Sequence, residues 1–141
     1  MAERILNDPF ISIAANDLSS SVKEISIEYE AELQDDTTGG DTTRSNLPGL
    51  LNWQMTITFA QDFAASQLDS ILFPLVGTVF DIEVRPTVAP VGTSNPKYTA
   101  GAVLENYSPI GQSMGDFVTA PVTLKPAKSG GTAATLVRAT A

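Results

Sequence analysis

VKEISIEYEAEL at residues 22–33 and LNWQMTITFA at 51–60 decide how this chain folds. In the first stretch Ile25, Ile27, Tyr29, Ala31 and Leu33 alternate with Glu24, Ser26, Glu28, Glu30 and Glu32. In the second, Leu51, Trp53, Met55, Ile57 and Phe59 alternate with Asn52, Gln54, Thr56 and Thr58. Successive side chains of a strand point to opposite faces, so a period of two sustained this long predicts two half-buried strands, each with one apolar and one polar face. Between them, residues 34–50 hold almost nothing to bury before Leu47 and read as one long polar loop. Loops of that length inside a domain are usually functional or disordered.

Working outward, Phe10 to Ala15 reads as a short strand joined to the next by the turn-rich Asn16 to Ser21. Asp62 is placed to cap a helix through Leu72, since Phe63, Ala64, Leu68, Ile71, Leu72 and Leu75 recur at helical spacing and Pro74 and Gly77 close the pattern. Strands follow over Thr78–Arg85, Lys97–Glu105, Phe117–Leu124 and Thr132–Arg138, with Pro121 placing the Phe117 strand at an edge or a bulge. Seven strands and one helix predict a mainly β fold: a β-sandwich or partly closed barrel with one packed α-helix. At 141 residues the chain is expected to form a single domain over 1–141.

Composition narrows the chemistry. With no His and no Cys the chain has no imidazole base, thiol nucleophile, thiolate metal site or disulfide. The net charge of −8 lies wholly in residues 1–41, which hold ten acids against Arg4 and Lys23; the remainder balances six against six. Such asymmetry argues for one acidic surface and against attraction to nucleic acid. Only 17% of residues are charged while 43% are hydrophobic, so part of the exterior is expected to be covered by something else. No run of 18 apolar residues suggests a membrane segment, and the acid in Met1-Ala2-Glu3-Arg4-Ile5 is unlike a signal peptide, which leads us to expect a soluble, non-exported chain.

Glu24, Glu28, Glu30 and Glu32 could be read as a catalytic pair, because carboxylates two residues apart on one strand face are separated by about 6.6 Å, within the inverting-glycosidase range. A solvated row of acids lacks the apolar cleft needed to raise one pKa, so an electrostatic surface or an ordinary solvated face is the better reading. Calcium binding in 35–46 fails on spacing: an EF-hand beginning at Asp35 would put Gly39 at its fifth position and Asn46 at its twelfth, where a bidentate Glu is needed. Asn106-Tyr107-Ser108 matches a glycosylation sequon by chance. There is no phosphate loop, nucleophile elbow or dinucleotide fingerprint, so no enzyme, cofactor or metal is expected.

The order of segments, NLPGLLNWQMTITFAQDF, FDIEVRPT, NPKYTAGAVLENYSP and GDFVTAPVTL, is itself informative. With Asp41, Arg44, Trp53, Phe59, Asp62, Gly77, Arg85, Pro86, Asn95, Pro96, Tyr98, Ala102, Tyr107, Gly115, Asp116, Thr119 and Pro121 in this sequence, the chain resembles the major tail tube proteins of long-tailed, siphovirus-type bacteriophages, a family similar to the tube protein of type VI secretion. The resemblance implies a structural virion protein of the phage tail, assembled in the host bacterial cytoplasm. In that family six subunits join their inner sheets into one ring, and rings stack into a hollow tube that conducts DNA without binding it specifically. Tail terminator, distal tail and tape-measure proteins are the implied partners.

Four strands from each of six subunits would give a backbone diameter of at least ~37 Å, wide enough for a duplex. The resemblance implies that Glu24, Glu28, Glu30 and Glu32, with Asn52, Gln54, Thr56 and Thr58, line the lumen, where like charge lets phosphates slide past. It also maps the loop that reaches the next ring onto 34–50, with Asp35, Asp36, Asp41, Arg44, Asn46 and Leu47 as its contact residues. Alternation leaves open whether the polar face turns inward or outward. The competing reading is a capsid decoration or receptor-binding β-sandwich module, in which the acidic strand is an ordinary solvated face.

Overall fold

The computed structural model describes residues 5–130 and 133–140. Its elements are β1 (Phe10–Ile13), β2 (Asn16–Asp17), β3 (Val22–Asp35), β4 (Asn46–Ala60), α1 (Leu68–Leu72), β5 (Val79–Arg85), β6 (Lys97–Tyr107), β7 (Thr119–Pro126) and β8 (Val137–Ala139). The fold is mainly β, as the alternation predicts. All eight strands belong to one antiparallel sheet in the order β2-β1-β5-β6-β7-β4-β3, with β8 pairing β6 beyond the end of β7.

The inward positions of every long strand converge on one core. Ile11 and Ile13 of β1, Trp53, Met55, Ile57 and Phe59 of β4, Phe80, Ile82 and Val84 of β5, Ala100, Ala102 and Leu104 of β6, and Ala120, Val122 and Leu124 of β7 are all buried, joined by Leu18, Leu68 and Leu72. One sheet can bury a single face this completely only by curling around it. The curl is not closed into a barrel. Where β3 comes back toward β5, Ile25 and Ile27 face Leu6, Pro9, Val84, Pro86 and Tyr98 across an apolar cleft of about 240 Å³.

Residues 34–50 differ from the expected loop. The ladder between β3 and β4 continues past the core through Leu33↔Pro48, Gln34↔Leu47 and Asp35↔Asn46, so the segment is a hairpin arm whose tip is 36–45. Pro48 is tolerated because β7 reaches only Met55–Ala60 of β4, which leaves the Pro48 stretch an edge on that side. The tip is folded on itself by the backbone bonds Asp36 N–H to Ser45 O and Asp41 N–H to Thr38 O, both 3.0 Å.

The helix is shorter than its apolar spacing predicts. Asp62 accepts from the backbone N–H of Ala64 at 3.0 Å, a local turn, and Ser66 at φ 62° breaks the path before α1 begins. The spacing of Phe63 therefore has no helical cause, and its side chain is exposed. A 3-10 turn over Phe73–Leu75 follows, and Gly77 at φ 81° redirects the chain into β5.

The first strand also stops earlier than expected. Ala14 and Ala15, at φ 52° and 67°, make a two-residue turn that pairs Ile13 with Asn16. β7 is not an edge strand, since it lies between β6 and β4. Pro121 fits there because its carbonyl accepts from Ser108 N–H just past the end of β6, on the side where the missing donor would also point. Of the expected terminal strand, Val137–Ala139 is formed and Thr132 lies outside the described residues, as do Met1–Arg4.

Candidate assembly surface

Register fixes which polar residues share a face. Glu24 pairs with Thr58, Ser26 with Thr56, Glu28 with Gln54 and Glu30 with Asn52, each polar partner standing opposite another. The other face of the same two strands pairs Ile25 with Ile57, Ile27 with Met55, Tyr29 with Trp53 and Ala31 with Leu51. Glu24, Glu28, Glu30 and Asn52 are exposed, as is Thr56, while Gln54 and Thr58 are half-buried. Glu32 continues this row on β3, at the root of the arm. The register shifts there because β4 carries one extra residue between Pro48 and Leu51, and Glu32 accepts from the side chain of Gln34, two residues on along the same face, at 3.2 Å.

β7 extends the polar face. Thr123 stands opposite Thr56, and the Nζ of Lys125 donates to Oε1 of Gln54 at 2.6 Å. Glu28, Gln54 and Lys125 thus form one row across three strands, graded from acidic to basic. Sequence reading missed Lys125 because the register that brings it beside Gln54 is a long-range property.

At the arm, Asp35 and Arg44 form an exposed ion pair at 3.1 Å. The Asp35 carboxyl is held below its ordinary value, first by its hydrogen bonds from Thr37 and then by Arg44. Asp41 accepts from the backbone N–H of Thr38 at 2.8 Å. These carboxylates are occupied by their own turn, and among the described residues no group of three or more acids could hold a metal ion. Asn46 and Leu47 belong to β4 rather than to the tip. Leu33, Leu47, Leu50 and Leu51 remain exposed along the arm, each more than half accessible. They are divided between the two faces of the arm, since Leu33 and Leu47 belong to adjacent ladder pairs, and exposed apolar side chains on an arm that reaches no core have no intramolecular cover.

Opposite the arm, β6 and the helical segment are pinned by polar contacts that composition does not reveal. Tyr107 donates to Asp69 at 2.7 Å and accepts from Gln61 at 3.0 Å. Burial pushes its pKa up to about 12, with Gln61 opposing and Asp69 adding to the shift. Asn95, 7% accessible, gathers the 86–96 loop by accepting from Thr87 N–H and donating to the carbonyls of Ala89 and Pro90. Beside it the Arg85 guanidinium stacks over Phe10 at 4.0 Å and pairs with Glu83 at 3.1 Å.

The fold recurs in solved structures. The chain is similar to a chain in the virion of a native gene transfer agent particle, with a TM-score of 0.66 and 14% identity over 93% of this chain and 98% of that one. It is similar also to a chain in the tail of an empty gene transfer agent particle refined helically with C6 symmetry, at TM-score 0.67 and 14% identity over 90% and 96%. The fold is tail-tube-like. At this identity the likeness concerns the fold alone. No family model matches the chain, and no curated protein matches it by sequence. Among the described residues no helix is long and apolar enough to cross a membrane.

Proposed function

We propose that this chain is a structural virion protein, the major tail tube subunit of a siphovirus-type phage or phage-like particle, which forms six-membered rings stacked into a hollow conduit for DNA. One observation carries the reading: its tail-tube-like fold covers nine-tenths of the chain and is shared with a chain of a C6-symmetric tail. On this reading the face bearing Glu24, Glu28, Glu30, Glu32, Asn52, Gln54, Thr56 and Thr58 lines the lumen. Glu32 ends that row at the root of the arm. An acidic wall gives DNA phosphates no counterions to release and so no place to stick.

The arm, with Asp35, Asp36, Asp41, Arg44, Asn46 and Leu47, reaches the neighbouring ring. Its exposed leucines are the apolar surface that stacking would cover. The protein acts without catalysis, in the virion, after assembly in the host cytoplasm with terminator, distal tail and tape-measure partners. A distant relation to the secretion tube protein belongs to the same reading.

Negative-stain electron microscopy at rising concentration, with sedimentation alongside, tests it. Hollow rings or tubes with six-fold end views are expected. Compact particles without a central hole at every concentration would refute it in favour of a decoration or receptor-binding module.

A further inference from the structure

The lane of β7 is filled twice. β7 runs beside β6 as far as Ala102↔Pro126, and Ala127 N–H then donates to Gly101 O at 3.0 Å. The chain later returns to the same lane: Gly101 N–H donates to Ala133 O at 2.9 Å, and β8 pairs with β6 at Lys97–Thr99. The segment 133–139 therefore lies between β6 and the arm half of β4, yet it is laddered only to β6, by three residue pairs. Among the described residues nothing pairs with the outer edge of β4 from Asn46 to Gln54.

The segment is fastened to β4 by one side chain. Trp53 donates its indole N–H to the carbonyl of Ala134 at 2.7 Å, over a small cavity lined by Tyr29, Leu51, Trp53, Pro126 and Leu136. Ala133, Thr135, Val137 and Arg138 are exposed, so Leu136 alone gives the segment an apolar footing on the core. Few buried contacts and a one-sided ladder are the marks of a region that opens locally before the whole. A strand edge left bare by such opening is a template for pairing with another chain.

We infer that residues 133–139 are a strap that opens as a unit ahead of the rest of the sheet, uncovering Trp53 and the unpaired edge of β4, and so sets how readily the chain self-associates. The last step rests on the tube reading; the opening itself does not. Trp53 is the single tryptophan of the chain, which makes the device optically visible.

The test uses the full chain and its Val137→Pro and Arg138→Pro variants. Antiparallel pairs alternate between bonded and unbonded, so one of the two prolines must remove a donor aimed at β6. In the unmodified chain, hydrogen exchange at 133–139 should run well ahead of Ala102–Leu104, which lies between β5 and β7. The effective proline should shift Trp53 emission to the red and raise its quenching by acrylamide while the sheet's circular dichroism persists, and should bring on assembly, followed by sedimentation, at a several-fold lower concentration.

Exchange at 133–139 as slow as at Ala102–Leu104 overturns the strap without recourse to any variant. A shifted Trp53 with assembly unchanged or delayed overturns its control of association. If neither the unmodified chain nor the variants ever assemble, the tube reading falls together with that control, and exchange and fluorescence still decide the opening.

Discussion

Replacing Asp36–Ser45 with the dipeptide Asn-Gly should leave the domain folded and abolish stacking. The last ladder pair of the arm is Asp35↔Asn46, so two residues suffice to close it in a primed turn. Shortening a ten-residue connection to two lowers its closure entropy by about 1.4 kcal/mol, from the logarithmic dependence on loop length. Against this stand the Asp35–Arg44 pair and the turn bonds of Thr37, Thr38 and Ser45, all exposed. Water replaces such bonds at little net cost.

No side chain of the tip enters the core, so no cavity forms. The net change should stay within about 1 kcal/mol, a midpoint shift of no more than about 4 °C for a domain of this size. Thermal unfolding by circular dichroism measures the first half of the claim, and electron microscopy beside sedimentation the second. A loss of more than about 3 kcal/mol would mean that the tip supports the sheet in a way its contacts do not indicate. Tubes of normal length from the shortened protein would remove the arm from the ring-to-ring contact.

Other outcomes follow from the core and the polar face. Phe59→Ala empties a fully buried site at the centre of the sheet and should cost about 3–5 kcal/mol in chemical denaturation. Tyr107→Phe should cost about 1–2 kcal/mol, since Asp69 loses its donor and Gln61 an acceptor. Because the folded pKa of Tyr107 is raised, its contribution is intact below pH about 10 and is lost as pH climbs toward about 12. Alkaline denaturation with tyrosinate absorbance should show that window, and the Phe variant should lack it. Glu28→Cys provides a unique thiol in a chain without cysteine. A bulky maleimide should label it fully before assembly and hardly at all in closed tubes, whereas equal labelling would turn the polar face outward.

How far the sequence could be read depended on the range of the cause. The faces of 22–33 and 51–60 were legible because the period of two is a property of neighbours, and the register Glu28↔Gln54 and Ile27↔Met55 pairs like with like. The arm was not legible as strand. Its ladder runs where neither face is buried, so Gln34, Leu47 and Gly49 carry no alternation to detect. The helix over 62–72 failed because recurring apolar residues said nothing of Ser66 in a left-handed conformation. Of the candidate surface, the Glu24–Glu30 row was visible, while Lys125 beside Gln54 and the indole of Trp53 against Ala134 depend on contacts 71 and 81 residues apart.

The place of Pro121 bears on the register of the sheet. It stands in a central strand opposite Ser108, one residue past the end of β6, so the donor it lacks would point outside the β6–β7 ladder. Were β7 to slide two residues along β6, the same gap would fall inside the ladder and strand a carbonyl, at a cost of about 1–3 kcal/mol. The alternation of Ala120, Val122 and Leu124 would be satisfied equally by either register. The proline therefore weighs against the shifted register, beside the irregularity of β6 at Leu104–Asn106 and the ladder to β4.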